Sequence, residues 1–167
     1  YLFAKYTQTL TSKKDALFQW HGSIGVVGSA SLAKELQDSY HKLFRYKRFE
    51  GWRYQVRNAL GLDLGFSYAT TAFNLNNLVK LVPVFQANLG STFTNAKAGA
   101  IFCVGAFESN KNSILFNSRV SNGKSEPKKK IELFIYTYPS ITLQLYNATL
   151  EGGLFNKGSG AVLANPE

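Results

Sequence analysis

One segment of the chain, residues 25–58, combines residue types that could carry out acid–base chemistry. Apolar residues from Ser31 to about Tyr46 recur mostly at spacings of three, four and seven, which predicts an amphipathic helix. On that helix Gln37 and Asp38 lie four and three residues before His41, so the three side chains share one face. Imidazole can accept a proton near neutral pH. The pattern predicts His41 as a general base oriented by Gln37 and Asp38, and the alternative is an ordinary surface histidine.

Two further features of the same segment bear on its chemistry. Ser29 or Ser31 is expected to cap the helix, because a serine oxygen can accept from the N–H groups of the first turn. Basic residues also crowd the segment: Lys42, Arg45, Arg48 and Arg53. They predict either a solvated charged face or contacts with an acidic partner.

The motif around His41 resembles that of a known family. Its residues are Gly25-Val26-Val27-Gly28, then Glu35, Gln37, Asp38 and His41, then Trp52, Gln55 and Asn58. At this spacing they are similar to the pattern of the lipid A 3'-O-deacylase family of bacterial outer-membrane barrels. A weaker likeness continues downstream as far as the run Asn147-Ala148-Thr149-Leu150-Glu151-Gly152.

This resemblance implies an activity and a set of site residues. The family hydrolyses the 3'-linked acyloxyacyl ester of lipid A in lipopolysaccharide, with calcium polarising the carbonyl and a histidine deprotonating water, which here would be His41. Gln55 and Asn58 would join Gln37 and Asp38 as orienting residues. The lipid A headgroup that the resemblance implies is phosphorylated, so Lys42, Arg45, Arg48 and Arg53 are predicted to contact its phosphates. The family has a glutamate six residues after the histidine, where this chain has Lys47, and a lysine cannot ligate calcium. The metal ligands are therefore unknown, and Glu50 is the nearest substitute.

The remainder of the chain predicts an all-β fold. Residues 59–68 alternate between large apolar side chains and small or polar ones, as in a barrel strand with lipid outside and water inside. Aromatics make up 14% and charged residues only 17%, below the roughly 25% of ordinary soluble domains. No apolar run approaches the ~18 residues of a transmembrane helix. We predict one domain, residues 1–167: an antiparallel transmembrane β-barrel with a helical extracellular insertion at 31–58 and a long polar loop at 108–130.

The predicted strands number about seven, with the last two at 131–139 and 141–150, whereas the resembled family closes its barrel with roughly twelve. A barrel in lipid must be closed, because an open edge leaves backbone groups unpaired. We therefore expect this chain to be a partial barrel that lacks the first strands and the last. The net charge of +9 suits an acidic partner. The expected partners are lipopolysaccharide and the outer membrane, with no nucleic acid and a monomeric state.

Two alternative functions stay open at this point. One is a non-catalytic outer-membrane barrel descended from the same family, and the other is a soluble, basic, β-rich module that binds nucleic acid. The soluble module requires the leucines and phenylalanines of the strands to be sealed inside a sandwich, whereas the barrel requires them outside. Local expectations are a short strand at 114–116, a strand end or bulge at Pro83, a buried Cys103, and His21 lining the barrel interior.

Overall fold

The computed structural model describes residues 1–12, 14–47, 51–116 and 131–154, without the side chains of residues 53 and 54. This part of the chain contains two α-helices, α1 (Ala33–Leu43) and α2 (Ala148–Glu151), and three short 3-10 helices at Ser29–Ser31, Gly51–Tyr54 and Ile114–Phe116. The strands are β1 (Leu2–Thr11), β2 (Leu17–Val27), β3 (Ala59–Ala69), β4 (Phe73–Leu75), β5 (Val79–Gly90), β6 (Phe93–Ala106), β7 (Leu133–Thr137) and β8 (Ser140–Asn147). In this range neither α-helix has the length and apolarity that a membrane crossing would require.

All strand pairs are antiparallel, and the eight strands occupy six positions in one sheet. β4 pairs with β5 beyond the point where β3 stops, so it prolongs the line of β3. β7 and β8 both pair with β6 in one continuous register, with Phe102 opposite Thr137 and Gly99 opposite Ser140. The strands expected at 131–139 and 141–150 therefore form one interrupted barrel strand rather than two.

The large apolar side chains of the strands point outward. In β3 the residues Leu60, Leu62 and Leu64 are 51–57% exposed, while the intervening Gly61 and Gly65 are buried. This alternation confirms the prediction of a partial antiparallel barrel with an apolar outer face. The soluble-sandwich hypothesis is wrong, because the side chains that it needed in a core lie on the outer surface.

The inner face of the sheet carries a row of mostly polar residues. The register places one residue from each of the six positions side by side in this row: Thr7, His21, Gly65, Asn88, Asn95 and Gln144. The Asn88 amide donates to the Asn95 Oδ1 atom at 2.8 Å. His21 lies so close across Gly65 that a Cβ atom there would collide with its ring. The expectation that His21 lines the interior is confirmed.

At the end of the sheet away from α1, the segment after β6 folds back onto the inner face. Phe107, Asn110 and Ser113 are all at most 3% exposed. Residues 108–113 belong to no helix or strand but pack against the sheet, and residues 117–130 of the long polar loop predicted at 108–130 lie outside the described part. The short strand expected at 114–116 is a 3-10 helix. The Glu132 carboxylate accepts from the N–H groups of Glu108 and Ile114 and so holds this segment as a turn.

Pro83 was expected at a strand end or bulge, and Cys103 was expected to be buried. The expectation for Pro83 is wrong. Pro83 lies in the middle of β5 and not at an end. Its carbonyl accepts from the N–H of Thr70, in the gap between β3 and β4. Because the N and O atoms of one strand residue face the same side, the missing N–H of Pro83 faces this gap and breaks no ladder bond. Cys103 is buried, at 0% exposure, as expected.

Candidate active site

The candidate site lies on the insertion between β2 and β3, whose helix α1 starts without the predicted serine cap. The residue before α1 is Leu32, in the left-handed conformation with φ 57°, and no side chain caps the helix. Ser29 instead donates its hydroxyl to the Asn58 Oδ1 atom at 3.0 Å, and Ser31 donates to the carbonyl of Gly28 at 2.7 Å. The capping prediction is wrong, because both hydroxyls act as donors in the turn that precedes the helix.

The chain folds back after α1 and brings a carbonyl to the imidazole of His41. α1 ends at Leu43, three residues earlier than predicted, and Arg45 takes the left-handed conformation with φ 57°. The carbonyl of Lys47 then lies 2.7 Å from the His41 Nδ1 atom. A carbonyl can only accept, so Nδ1 must carry the proton. In the neutral ring the lone pair is therefore on Nε2, which is the arrangement that a general base requires.

Gln37 is brought to His41, but Asp38 is not bonded to it. The Gln37 amide nitrogen is 3.5 Å from the His41 Nε2 atom, the outer limit of a hydrogen bond. Asp38 is half-buried, and within the described residues no hydrogen bond joins it to the imidazole. Tyr46 places its ring edge-on to the imidazole, with centroids 5.8 Å apart. Among the described residues, the ring of His41 thus lies beside Gln37, Tyr40, Tyr46 and the Lys47 carbonyl.

Asn58 fastens the two ends of the insertion together. Its Oδ1 atom accepts from the N–H of Ala30 at 2.8 Å as well as from Ser29. The adjoining Gly28 has φ 94°, and a Cβ atom there would lie 2.8 Å from the Asn58 nitrogen. These contacts explain the spacing of Gly28 and Asn58 in the motif: they position the insertion on the barrel rather than the imidazole directly.

The other predicted site residues are Gln55, the four basic residues and Glu50. The Gln55 N–H donates to the carbonyl of Trp52 at 3.1 Å, at the end of the 3-10 helix Gly51–Tyr54. Its side chain is not hydrogen-bonded to His41 in the described part of the chain. Lys42 and Arg45 are exposed. The backbone of Arg53 belongs to that 3-10 helix, but its side chain lies outside the described atoms, as do Arg48 and Glu50 entirely.

The described residues do not form a calcium site. Among residues 1–12, 14–47, 51–116 and 131–154, no three His, Cys, Asp or Glu side chains converge on one point. Near His41 the acidic side chains are Glu35, which is exposed, and Asp38, and position 47 carries a lysine. Calcium prefers six to eight oxygen ligands, several of them carboxylates. This donor set does not fit the ion.

Sequence reasoning missed two parts of the site. The Lys47 carbonyl could not be found, because every residue carries a carbonyl and only the path of the chain selects one. The second is a group of rings beside the imidazole: Tyr40 and Phe44 have centroids 4.7 Å apart, and Phe44 stacks on Tyr46 at 6.1 Å. The i, i+4 spacing of Tyr40 and Phe44 was a usable signal for that contact.

An antiparallel half-barrel with an apolar outer face and a polar inner row defines a β-barrel of the bacterial outer membrane. The chain belongs to the outer membrane protein LpxR family, whose model matches residues 1–166. The prediction of the family and that of an outer-membrane location are both confirmed.

Among solved structures, LpxR from Salmonella typhimurium is similar to this chain, with a TM-score of 0.71 and 19% sequence identity. The match covers 94% of this chain and 55% of that one, so the chain spans about half the length of that structure. At this identity the likeness shows the fold. No curated protein matches the chain.

Proposed function

We propose that the protein containing this chain hydrolyses the 3'-linked acyloxyacyl ester of lipid A at the outer membrane. Membership of the outer membrane protein LpxR family supports the substrate class. The observation that carries the proposal is the 2.7 Å contact between His41 Nδ1 and the Lys47 carbonyl. It leaves Nε2 as the proton acceptor on a helix at the rim of the barrel, where a lipid headgroup in the adjoining leaflet can reach it.

The reaction proceeds by addition of water to the ester. His41 Nε2 takes a proton from water as the oxygen bonds to the carbonyl carbon, giving a tetrahedral intermediate. The bond between that carbon and the 3' oxygen then breaks, and the imidazolium returns the proton to the departing oxygen. The products are the free fatty acid and a 3'-hydroxyl, and the imidazole is regenerated. The Lys47 carbonyl keeps Nδ1 protonated and stabilises the imidazolium between the two steps.

Lys42 and Arg45 are proposed to contact the phosphates of lipid A. Both are exposed on or directly after α1, next to His41 in the sequence, and guanidinium and ammonium groups pair well with phosphate. Arg48 and Arg53 remain predictions of the same contact. A monomeric state and the absence of nucleic-acid binding also remain predictions.

Calcium assistance stays a prediction from the resemblance. The described residues around His41 do not fit the ion, so no step is assigned to it. The poor fit of these residues to calcium favours a second candidate function. This is a non-catalytic barrel, in which Lys47 has replaced the acidic residue of the family.

The proposal is tested by mass spectrometry of lipid A after incubation of lipopolysaccharide with the whole protein in detergent. Loss of the acyloxyacyl mass is expected, and His41→Gln should slow it by about 10²-fold or more. His21→Gln is the matched control, because it removes the other histidine of the chain, on the inner face of β2, and should leave the rate unchanged.

Two outcomes separate the candidates. If the folded whole protein has no activity with or without added calcium, the hydrolase proposal is wrong and the non-catalytic barrel is supported. Equal rates for the wild type and His41→Gln would remove His41 as the base. Loss of activity on chelation, restored by calcium, would support the predicted cofactor.

A further inference from the structure

The inner face of the barrel wall changes from polar to apolar toward the end away from α1. Beyond the polar row that contains His21 and Asn88, six inward-facing side chains form one buried cluster, and none of them is charged. A lumen that conducts water, as in porins, has a polar lining, so this end of the interior is not built as a pore. The six side chains are Leu17, Ala69, Val82, Val84, Ile101 and Cys103.

The segment after β6, residues 107–116, covers this apolar cluster and is called the covering segment below. Phe107 belongs to the cluster at 3% exposure, and Leu115 and Phe116 pack against it. Between them, Asn110 and Ser113 are completely buried. The covering segment therefore lies as a second layer on the inner face of the wall.

Hydrogen bonds fasten the covering segment to two turns and one strand at the same end. The Asn110 backbone N–H donates to the Asp15 Oδ2 atom, and its side-chain amide donates to the Asp15 carbonyl and the Thr71 hydroxyl, all at 2.9 Å. Asp15 lies between β1 and β2, and Thr71 lies between β3 and β4. The Lys80 ammonium of β5 donates to the Asn110 Oδ1 atom at 3.1 Å. One buried side chain thus links the covering segment to both turns and to β5.

The covering segment is thick enough to close a barrel of the size that the comparison indicates. The six strand positions correspond to 55% of the similar structure, so a barrel of that full length would have roughly ten to twelve strands. With strands ~4.8 Å apart and tilted by ~40°, its backbone diameter is roughly 20–24 Å. A layer packed on a sheet lies about 10 Å from it. Two such spacings, from the wall to the segment and from the segment to the opposite wall, account for about 20 Å of that diameter.

We infer that the covering segment is a plug, which closes this end of the barrel to water, ions and small solutes. A close-packed apolar layer leaves no space for water, and the buried polar groups of Asn110 bond to protein rather than to solvent. The polar row on the inner face then lines a chamber that solutes enter only from the α1 end. This inference is independent of the proposed hydrolysis, because it concerns permeability and needs no catalytic residue.

The first test measures the ion conductance of the whole protein in planar lipid bilayers. The wild type should show no steady open channel. Phe107→Ser with Asn110→Gly removes the apolar anchor and the hydrogen-bonding side chain, so it should produce steady conductance steps. Phe73→Ser with Asn77→Gly is the matched control, because it makes the same two replacements at exposed positions near the same end, and it should stay closed.

Cys103 provides a second readout beneath the covering segment. It is the single cysteine of the chain, lies on the inner face and is 0% exposed. A charged, membrane-impermeant maleimide added to the whole protein in vesicles should label it about tenfold or more faster in the double variant than in the wild type, because a closed site reacts only through opening. Peptide mapping by mass spectrometry assigns the label to residue 103.

The outcomes decide the inference. Steady conductance of the wild type, or equally fast labelling of Cys103 in the wild type and the double variant, overturns it. Conductance of the matched control also overturns it, since the channel would then not depend on the covering segment. If the double variant does not fold, as judged by heat-modifiable electrophoretic mobility, Asn110→Ala replaces it, with the same expected direction in both measurements.

Discussion

The two ends of this half-barrel are built in opposite ways. At the end away from α1, the segment after β6 packs onto the inner face and buries polar groups such as Lys80 and Asn110, at 1% and 0% exposure. At the other end, no residue of α1 is buried, and Leu36 and Leu43 are 74% and 75% exposed. The first end is a packed core, whereas the described side chains of α1 at the second end all stay at least partly exposed.

The buried end is a hydrogen-bonded polar network. The Lys80 ammonium donates to the Glu108 carbonyl and to the Asn110 Oδ1 atom, both at 3.1 Å, and lies 4.5 Å from the centre of the Phe107 ring. The Asn110 amide in turn donates to the Asp15 carbonyl and to the Thr71 hydroxyl. Buried hydrogen-bond networks of this kind rigidify a fold, although the Asp15 Oδ1 atom has no hydrogen-bond partner among the described residues.

The two ends are therefore expected to have different roles, one in the stability of the fold and the other in catalysis. Exposed segments are where binding and catalytic residues concentrate, and His41 lies on such a segment. Substitutions at the packed end should therefore cost unfolding free energy, whereas those around α1 should change local order and substrate handling.

The largest expected effect is on the packed end. Lys80→Met should lower the free energy of unfolding by about 2–6 kcal/mol, because two buried acceptors each lose the hydrogen bond from the ammonium at about 1–3 kcal/mol. Urea titration of the whole protein in vesicles would measure it. Lys34→Met on exposed α1 is the control and should stay within about 0.5 kcal/mol. Equal changes in unfolding free energy for Lys80→Met and Lys34→Met would contradict the proposed difference in stability between the two ends.

A smaller effect is expected where the insertion joins the barrel. Gly28→Ala should destabilise the insertion by about 1–3 kcal/mol, because φ of 94° strains a residue with a Cβ atom and that atom meets Asn58. Limited proteolysis should show faster cleavage within residues 29–58. Gly22→Ala is the control, since its Cβ atom would only touch Leu64 at 3.6 Å. Unchanged cleavage in Gly28→Ala would contradict the proposed attachment.

The smallest effect on stability is expected from the basic residues beside His41. Lys42→Gln with Arg45→Gln should leave the unfolding free energy within about 0.5 kcal/mol. It should raise KM for lipopolysaccharide by about 3–30-fold, and the rise should shrink as salt screens the wild-type contacts. Lys14→Gln with Lys111→Gln removes two charges at the opposite end and should leave KM unchanged. A KM that responds equally to both pairs would indicate a general charge effect.

Much of the wall could be predicted from residue alternation, because one face meets lipid and the other meets water along every strand. Leu60 to Tyr68 show this most clearly. The position of Pro83 in the middle of β5 could not be predicted. It is tolerated there because the neighbouring strand β3 ends opposite it. The fold of residues 108–116 was missed for a similar reason: their polar side chains look solvated until Lys80, Asp15 and Glu132 supply partners.

The sequence by itself determined the family, the outward-facing apolar side chains and the helix that carries His41, since each depends on local spacing along the chain. Only the tertiary structure decided that the segments at 131–139 and 141–150 share one position beside β6, and that the Lys47 carbonyl sets the tautomer of His41. Both depend on backbone atoms brought together by the path of the chain. Backbone N–H and C=O groups are the same in nearly every residue, so no choice of side chains records which of them will meet.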